Sequence, residues 1–129
     1  MAVARNVNMS QVGNVGIHVN SGTATTAFTL TRDDSGVTFI NKDTAATTYT
    51  LPSTADGKGC VFYFWNDQTT AAITITSPTA DTLIIQDSAY TSATSAAERG
   101  IWAKVIGDGT YYYFFDPRGA GTASCWTVA

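Results

Sequence analysis

The chain has 129 residues, a formal net charge of −3 and only 13% charged side chains. A chain of this length has room for one domain, which buries about two-thirds of its unfolded surface on folding without needing a disulfide or a metal. The slight negative charge and the absence of a basic cluster argue against binding through nucleic-acid phosphates and against anionic membrane surfaces.

The N-terminus lacks the apolar run of a secretory signal, and no stretch reaches the roughly 18 apolar residues of a membrane span. We therefore expect synthesis in the cytoplasm. The two cysteines, Cys60 and Cys125, would pair in an oxidising compartment. Without an export signal, the sequence favours two reduced, packed thiols.

Residues 1–24 differ in composition from the rest of the chain. They contain both methionines and the only histidine, His18, and their apolar side chains are scattered. Too few large residues are present for a core, so we predict an extended arm that lies along a neighbouring subunit or a larger partner. A disordered leader is the alternative. Val15, Ile17 and Val19 alternate, which is compatible with one short strand.

From Ala24 onward, short stretches rich in β-branched and aromatic residues alternate with turn residues, which is typical of an all-β domain. We predict a compact antiparallel β-sandwich or β-barrel-like domain over residues 25–129, preceded by the arm over residues 1–24. The predicted strands are 26–31, 37–41, 47–51, 60–65, 71–76 and 82–85, followed by a loop over 86–99 with room for a short strand and by a last edge strand near Trp126.

Residues 101–115 predict a hairpin, because two strands rich in large apolar side chains flank the turn Gly107-Asp108-Gly109-Thr110. Side chains alternate along a strand, so both faces of this hairpin carry bulk. A hairpin packed on one face only would leave aromatic side chains in water. We therefore expect a second sheet, or another copy of the chain, to cover the other face.

Catalytic and metal-binding patterns are missing. The single histidine lies in the predicted arm, so no hydrolase triad is expected. The pair Asp33-Asp34 precedes Ser35-Gly36, a sequence that favours a turn over a calcium site. Two cysteines and one histidine fall short of the four ligands of structural zinc. We predict a protein without enzymatic activity, metal or cofactor.

The aromatic residues of the hairpin allow a second hypothesis, because Tyr and Trp faces stack on sugar rings. Trp102, Tyr111, Tyr112 and Tyr113 would form the platform of a carbohydrate-binding site. They alternate with Ile and Phe inside strands, however, and this pattern favours core and subunit-interface positions over a binding platform.

The order of several short motifs resembles a β-rich module of tailed-bacteriophage virion proteins, found in head-decoration, head-fibre and tail-associated proteins. The similarity covers roughly residues 28–115, and here the module stands almost alone, without a shaft or second domain. The motifs are Thr29-Leu30-Thr31-x-x-Asp34-Ser35-Gly36, Asn41, Tyr49-Thr50-Leu51-Pro52, Gly59-x-x-Phe62-x-Phe64, Ile73-Thr74-Ile75 with Pro78, and Trp102 with Gly107 and Tyr112.

This resemblance implies a homotrimeric structural protein of the virion, a capsid decoration or cement protein that binds the major capsid protein on the outer surface of a phage head. It implies neither nucleic-acid nor membrane binding. The alternative is a carbohydrate or host-surface binding module on a tail or fibre. If the arm anchors the protein to the shell, the anchoring residues would be Arg5, Val7, Met9, Val12, Val15 and Ile17, and the subunit interface would contain Trp102, Tyr112 and Phe114.

Overall fold

The computed structural model describes residues 16–22, 25–116 and 125–129. These residues form twelve strands and one short 3-10 helix, Arg32–Asp34, which confirms an all-β fold. None of them belongs to a helix long and apolar enough to cross a membrane. The strands are β1 Gly16–Asn20, β2 Ala27–Thr29, β3 Val37–Asn41, β4 Thr47–Thr50, β5 Val61–Asn66, β6 Ile73–Thr76, β7 Leu83–Ile85, β8 Ser88–Tyr90, β9 Ser92–Ser95, β10 Ile101–Gly107, β11 Tyr112–Phe115 and β12 Trp126–Val128.

The strands form a five-stranded sheet in the order β12-β9-β6-β4-β2 and a seven-stranded sheet in the order β1-β3-β5-β10-β11-β7-β8. Five strand pairings in the described residues are parallel and five are antiparallel. The predicted antiparallel architecture is therefore wrong, because half of the pairings bring together strands that run in the same direction.

The first six strands wind as three stacked coils, and this arrangement produces most of the parallel pairings. In each coil the chain contributes one strand to the seven-stranded sheet and the next strand to the five-stranded sheet. Thus β1, β3 and β5 are parallel neighbours in one sheet, while β2, β4 and β6 are parallel neighbours in the other. The architecture is solenoid-like stacking, in which each coil buries its apolar face against its neighbours.

A ladder of three asparagines connects the coils where β1, β3 and β5 end. Asn20, Asn41 and Asn66 are almost completely buried. The Asn20 amide nitrogen donates to Asn41 Oδ1 at 3.1 Å, and the Asn41 amide nitrogen donates to Asn66 Oδ1 at 3.3 Å. The Asn66 amide donates to the Ala71 carbonyl oxygen at 2.8 Å. Buried amides stabilise a fold when they are bonded in this way and destabilise it when they are not.

Aromatic rings stack between the two sheets, next to the ladder. His18, Phe39 and Phe64 follow one another on β1, β3 and β5, with ring centroids 5.7 Å apart at each step. On the facing sheet the Phe28 and Tyr49 rings are 5.5 Å apart, and Tyr49 is 5.3 Å from Phe64. Inward residues at matching register positions thus form continuous rows across coils, which is the main apolar core of the solenoid half.

The predicted hairpin is confirmed, since β10 and β11 pair in antiparallel register. The strand predicted over 60–65 is confirmed as well, as β5. It lies between two neighbours, because it pairs with β3 on one side and with β10 on the other, from Ile101 opposite Asn66 to Ile106 opposite Val61. The segment 86–99, predicted as a loop with room for one strand, contains both β8 and β9. Small residues allow β9 to pair closely with β6 and β12. Ala93 is fully buried, and Ser95 accepts a hydrogen bond from the Ile73 backbone N–H.

The structure also moves the predicted boundary between arm and domain. Strand β1 lies within the predicted arm, yet it pairs with β3 over five residues and supplies Asn20 to the ladder. Residues 16–20 therefore belong to the β domain, because backbone pairing and a buried side chain connect them to it. The rest of the predicted arm that precedes Gly16 lies outside the described residues.

Two buried tyrosines predict opposite responses to loss of the hydroxyl group. Tyr112 Oη donates to the Pro52 carbonyl oxygen at 2.7 Å and approaches the Ser53 carbonyl oxygen at 3.1 Å. Tyr49 Oη has no hydrogen-bond partner among the described residues, and burial raises the pKa of its phenol. We expect Tyr112→Phe to lower the free energy of unfolding by about 1–2 kcal/mol and Tyr49→Phe to leave it unchanged or to raise it. Urea unfolding measures both; equal losses would contradict the assignment.

Candidate interaction surface

The outer face of the seven-stranded sheet carries all the large apolar side chains that are exposed in the described residues. We call this surface the outer face. Strand alternation points these side chains away from the core, and apolar surface of this extent in water marks an interaction site. They are Ile17 and Val19 on β1, Trp65 on β5, Trp102 on β10, and Tyr111, Tyr113 and Phe115 on or next to β11.

The solvent-facing surface of the five-stranded sheet differs from the outer face, because its described residues include no large exposed apolar side chain. Its outward positions are small and mostly hydroxylated: Ala27, Thr29, Thr48, Thr50, Thr74, Thr76, Ser92, Thr94 and Thr127. Neighbouring hydroxyls bond to each other, as between Thr74 and Thr94, whose Oγ1 atoms are 2.9 Å apart. The protein is therefore two-sided: one sheet exposes apolar and aromatic groups, and the other exposes a hydroxyl-rich surface that suits contact with water.

Charge is nearly absent from the strands of the outer face. Lys104 is the single charged residue within the strands of the seven-stranded sheet. Its ammonium lies 5.4 Å from the centroid of the Phe115 ring, a distance at which a cation is attracted to the face of the ring. The charge is thus already engaged within the chain, and a partner that covers this face needs few charges of its own.

The turn of the hairpin holds two of the exposed tyrosines in place. Asp108 Oδ1 accepts hydrogen bonds from the backbone N–H groups of Tyr111 at 2.7 Å and Thr110 at 2.8 Å. Its Oδ2 accepts a hydrogen bond from the Tyr113 hydroxyl at 2.8 Å. Gly109 supplies the positive φ, 99°, that the turn requires. We call Tyr111, Tyr113 and Phe115 the hairpin patch.

These bonds predict a pH dependence of stability. The hydrogen bonds from Tyr111, Thr110 and Tyr113 lower the pKa of the Asp108 carboxyl, whereas the unfolded chain titrates near pH 3.9. The stabilisation is therefore present above about pH 4 and is lost as the pH falls through the lower, folded pKa. We expect the free energy of unfolding to decrease less on acidification in Asp108→Asn than in the wild type. Denaturant unfolding between pH 5 and pH 2, with Asp33→Asn as control, measures this difference; equal slopes would contradict it.

A shallow groove of about 320 Å³ lies on the outer face between β3 and β5. We call it the tryptophan groove. Its walls are Ile40, Trp65 and Thr38, and it ends at Lys42 and Asp67. Asp67 Oδ2 is 3.8 Å from the Lys42 ammonium, and Asp67 Oδ1 is 3.3 Å from Nε of Arg99. The groove therefore combines an apolar floor with one anionic and one cationic group at one end. Arg99 does not line the groove, but it contacts Asp67 there.

The structure separates the residues predicted for the subunit interface. Trp102 is on the outer face and 38% exposed, whereas Tyr112 and Phe114 are buried inside a single chain. A partner subunit cannot contact these two side chains, because they point towards the five-stranded sheet, where Phe114 packs on Trp126 with ring centroids 4.9 Å apart. Of the three predicted interface residues, Trp102 is therefore the one whose side chain is exposed in the single chain.

The predicted carbohydrate platform is divided in the same way. Trp102, Tyr111 and Tyr113 are exposed, and Tyr112 is not. Trp65 was missed, although it lies directly opposite Trp102 across the β5–β10 pair. Strand alternation places Trp65 on the face opposite Phe62 and Phe64, and because these two are buried in the structure, Trp65 points outwards.

Of the residues predicted to anchor the protein to a shell, the described part of the chain contains Ile17. It is 64% exposed at the edge of the outer face. The other predicted anchoring residues, Arg5, Val7, Met9, Val12 and Val15, lie outside the described residues.

The neighbouring residues Asp33 and Asp34 lie in the 3-10 turn. Asp34 Oδ2 accepts a hydrogen bond from the Thr31 backbone N–H at 2.8 Å, so the turn interpretation of Asp33-Asp34 is confirmed. Within the described ranges, no three His, Cys, Asp or Glu side chains are grouped so as to hold a metal ion. Cys60 and Cys125 are buried free thiols.

No protein-family model matches the chain, and neither a curated protein nor a solved structure matches it. What the outer face binds is therefore inferred from its own residues.

Proposed function

We propose that the protein is a structural, non-enzymatic protein of a bacteriophage virion, a decoration protein that binds the outer surface of the head through its major capsid protein and stabilises the shell. The observation that carries this proposal is the contrast between the two surfaces. The apolar outer face needs a protein partner, and the hydroxyl-rich face of the other sheet is suited to remain in water. The resemblance in motif order supplies the identity of the partner.

The protein stabilises the shell if it binds the assembled shell and not the separate capsid proteins. Burial of each large apolar side chain of the hairpin patch contributes about 1.5–3 kcal/mol. A protein that gains this energy only on the assembled head shifts the equilibrium towards the assembled head. The sparse charge of the outer face implies that this binding depends weakly on salt, because few counter-charges have to meet across the contact.

Co-sedimentation with phage heads tests the proposal. We expect the wild-type protein to bind heads and to raise their resistance to heat. Tyr113→Asp and Phe115→Asp should weaken binding by at least about 100-fold, because each buries an unpaired carboxylate. The matched controls Thr50→Asp and Thr76→Asp place the same charge on the opposite surface and should bind normally. Equal losses in both pairs would contradict a role for the outer face.

The same face accounts for the proposed homotrimer. Closed threefold symmetry would bring Trp102 of each subunit against its neighbours and leave the hairpin patch for the shell. Light scattering of the purified protein tests this part separately. A mass three times that of the chain at micromolar concentration is expected. A monodisperse monomer would exclude the free trimer and leave assembly on the shell as the only mode.

A second candidate function is a carbohydrate or host-surface binding module on a tail or fibre. The tryptophan groove favours it, because an exposed indole beside polar groups is suited to a sugar ring. Electron microscopy of particles that carry the labelled protein separates the two functions. Density over the head surface is the expected result, and density at tail tips with none on the shell would replace the first candidate by the second.

A further inference from the structure

The tryptophan groove has an open aromatic wall. Trp65 is 38% exposed and faces outwards from a central strand of the sheet. Gly100 lies beside its indole: a Cβ atom at this position would be 3.8 Å from Cζ2 of Trp65. The positive φ of Gly100, 90°, also favours glycine at this site. A larger side chain here would cover the ring, so the local backbone keeps one edge of the indole accessible.

The polar end of the groove carries a surplus of positive charge. Lys42 and Arg99 each approach Asp67, and the three side chains together have a formal charge of +1. Asp67 is the most buried of the three. It lines the end of the groove together with Lys42, and it contacts Arg99, which lies outside the lining. It can accept hydrogen bonds from hydroxyl groups, while the guanidinium and ammonium groups, which are about half exposed or more, can donate to a carboxylate.

We infer that the tryptophan groove binds a saccharide that carries a carboxylate group. The apolar C–H face of a pyranose ring would stack on Trp65 and Ile40, its hydroxyls would meet Asp67, and its carboxylate would lie between Lys42 and Arg99. Three requirements of such a ligand thus coincide at one place: an aromatic wall, an acceptor for hydroxyl groups and an uncompensated cation.

The groove and the hairpin patch are separate parts of the outer face. The groove lies between β3 and β5, and β10 separates β5 from β11. The groove and the hairpin patch are therefore distinct sites, two strand spacings or roughly 10 Å apart. The inference deepens the second candidate function by naming its residues and ligand class, and it requires no particular location on the particle.

Titration of the purified protein with sialyllactose, and with lactose as the matched neutral sugar, tests the inference. Calorimetry and tryptophan fluorescence report binding without any capsid. We expect saturable binding of sialyllactose at millimolar concentration or below, at least about tenfold weaker binding of lactose, and weakening by added salt, because the charges are near the surface. No saturable binding, or equal binding of the two sugars, would overturn the inference.

Three variants locate the site. Trp65→Ala should abolish the binding of sialyllactose, and Arg99→Gln should weaken it about five- to tenfold, as expected for one partly exposed charge. Thr50→Ala, on the other sheet, should bind like the wild type. Circular dichroism checks that each variant is folded. If Trp65→Ala does not fold, the Arg99→Gln variant still tests the site, because Arg99 is exposed and its replacement should not affect folding. Unchanged binding in a folded Trp65→Ala variant would place the saccharide elsewhere.

Discussion

Replacing Asn41 by alanine should destabilise the protein more than any substitution on its surface. Asn41 is fully buried in the middle of the ladder, where Oδ1 accepts from Asn20 at 3.1 Å and its amide nitrogen donates to Asn66 at 3.3 Å. Alanine removes both bonds and leaves Asn66 Oδ1 without this donor, and it removes the acceptor of the Asp43 N–H and of the Thr47 hydroxyl. The Asn20 amide keeps its bond to Thr47 Oγ1. Each buried polar group that loses its partner costs about 1–3 kcal/mol, so we expect a loss of about 3–4 kcal/mol in the free energy of unfolding.

An isosteric variant separates the ladder from the effect of a cavity. Asn41→Asp keeps the volume of the side chain but replaces the donating amide with an oxygen that faces Asn66 Oδ1. We expect it to be at least as destabilising at neutral pH as Asn41→Ala. Thr48→Ala, on an outward position of β4, is the control and should cost about 1 kcal/mol or less. Chemical unfolding monitored by tryptophan fluorescence compares the three. A loss for Asn41→Ala no larger than the control would refute the ladder as a stabilising element.

The second large effect should come from Gly107→Ala, at the end of β10. A Cβ atom at this position would be 2.2 Å from the Gly57 carbonyl oxygen and 2.9 Å from its carbonyl carbon. Neither backbone moves freely, because the Gly107 N–H donates to the Cys60 carbonyl at 3.1 Å and the Gly107 carbonyl accepts from the Gly59 N–H at 2.9 Å. Overpacking against fixed backbone costs about 1–3 kcal/mol and occasionally more, and we expect the upper end of this range.

The matched control for this substitution is Gly16→Ala, in the edge strand β1. Among the described residues, its Cβ atom would have only Val37 Cγ2 within reach, at 3.8 Å, which is ordinary van der Waals contact. We expect a change within about 0.5 kcal/mol of the wild type. Thermal and urea unfolding of the two variants provide the comparison. Similar stability of Gly107→Ala and Gly16→Ala would show that the close approach of β10 to Gly57 is relieved by a small shift.

Local features of the sequence were sufficient to predict the hairpin and most of the strands, though not both β8 and β9. The alternation of side chains over 37–41 and the turn at Gly107-Asp108-Gly109-Thr110 involve residues close in sequence, so they are visible without any structure. The direction of pairing was not predictable in this way. The same alternation fits parallel and antiparallel neighbours, and the residues that pair in the ladder are 21 and 25 positions apart.

A signal for the coils was nevertheless present in the sequence. His18-Val19-Asn20, Phe39-Ile40-Asn41 and Phe64-Trp65-Asn66 each place an aromatic ring two positions before an asparagine. The ring and the amide point to the same side of the strand, and stacked coils bring like side chains together. The unequal spacing of the three copies obscured the repeat, because the connections between coils differ in length.

The sequence by itself determined that the chain is all-β, that Asp33-Asp34 belongs to a turn, and that the hairpin carries aromatic residues on both faces. Only the tertiary structure decided which face is the core. Alternation divides Tyr112 and Phe114 from Tyr113 and Phe115, but it does not say which pair is inward. That choice depends on where the five-stranded sheet lies, because contact with Trp126 of its edge strand buries Phe114 and leaves Phe115 exposed.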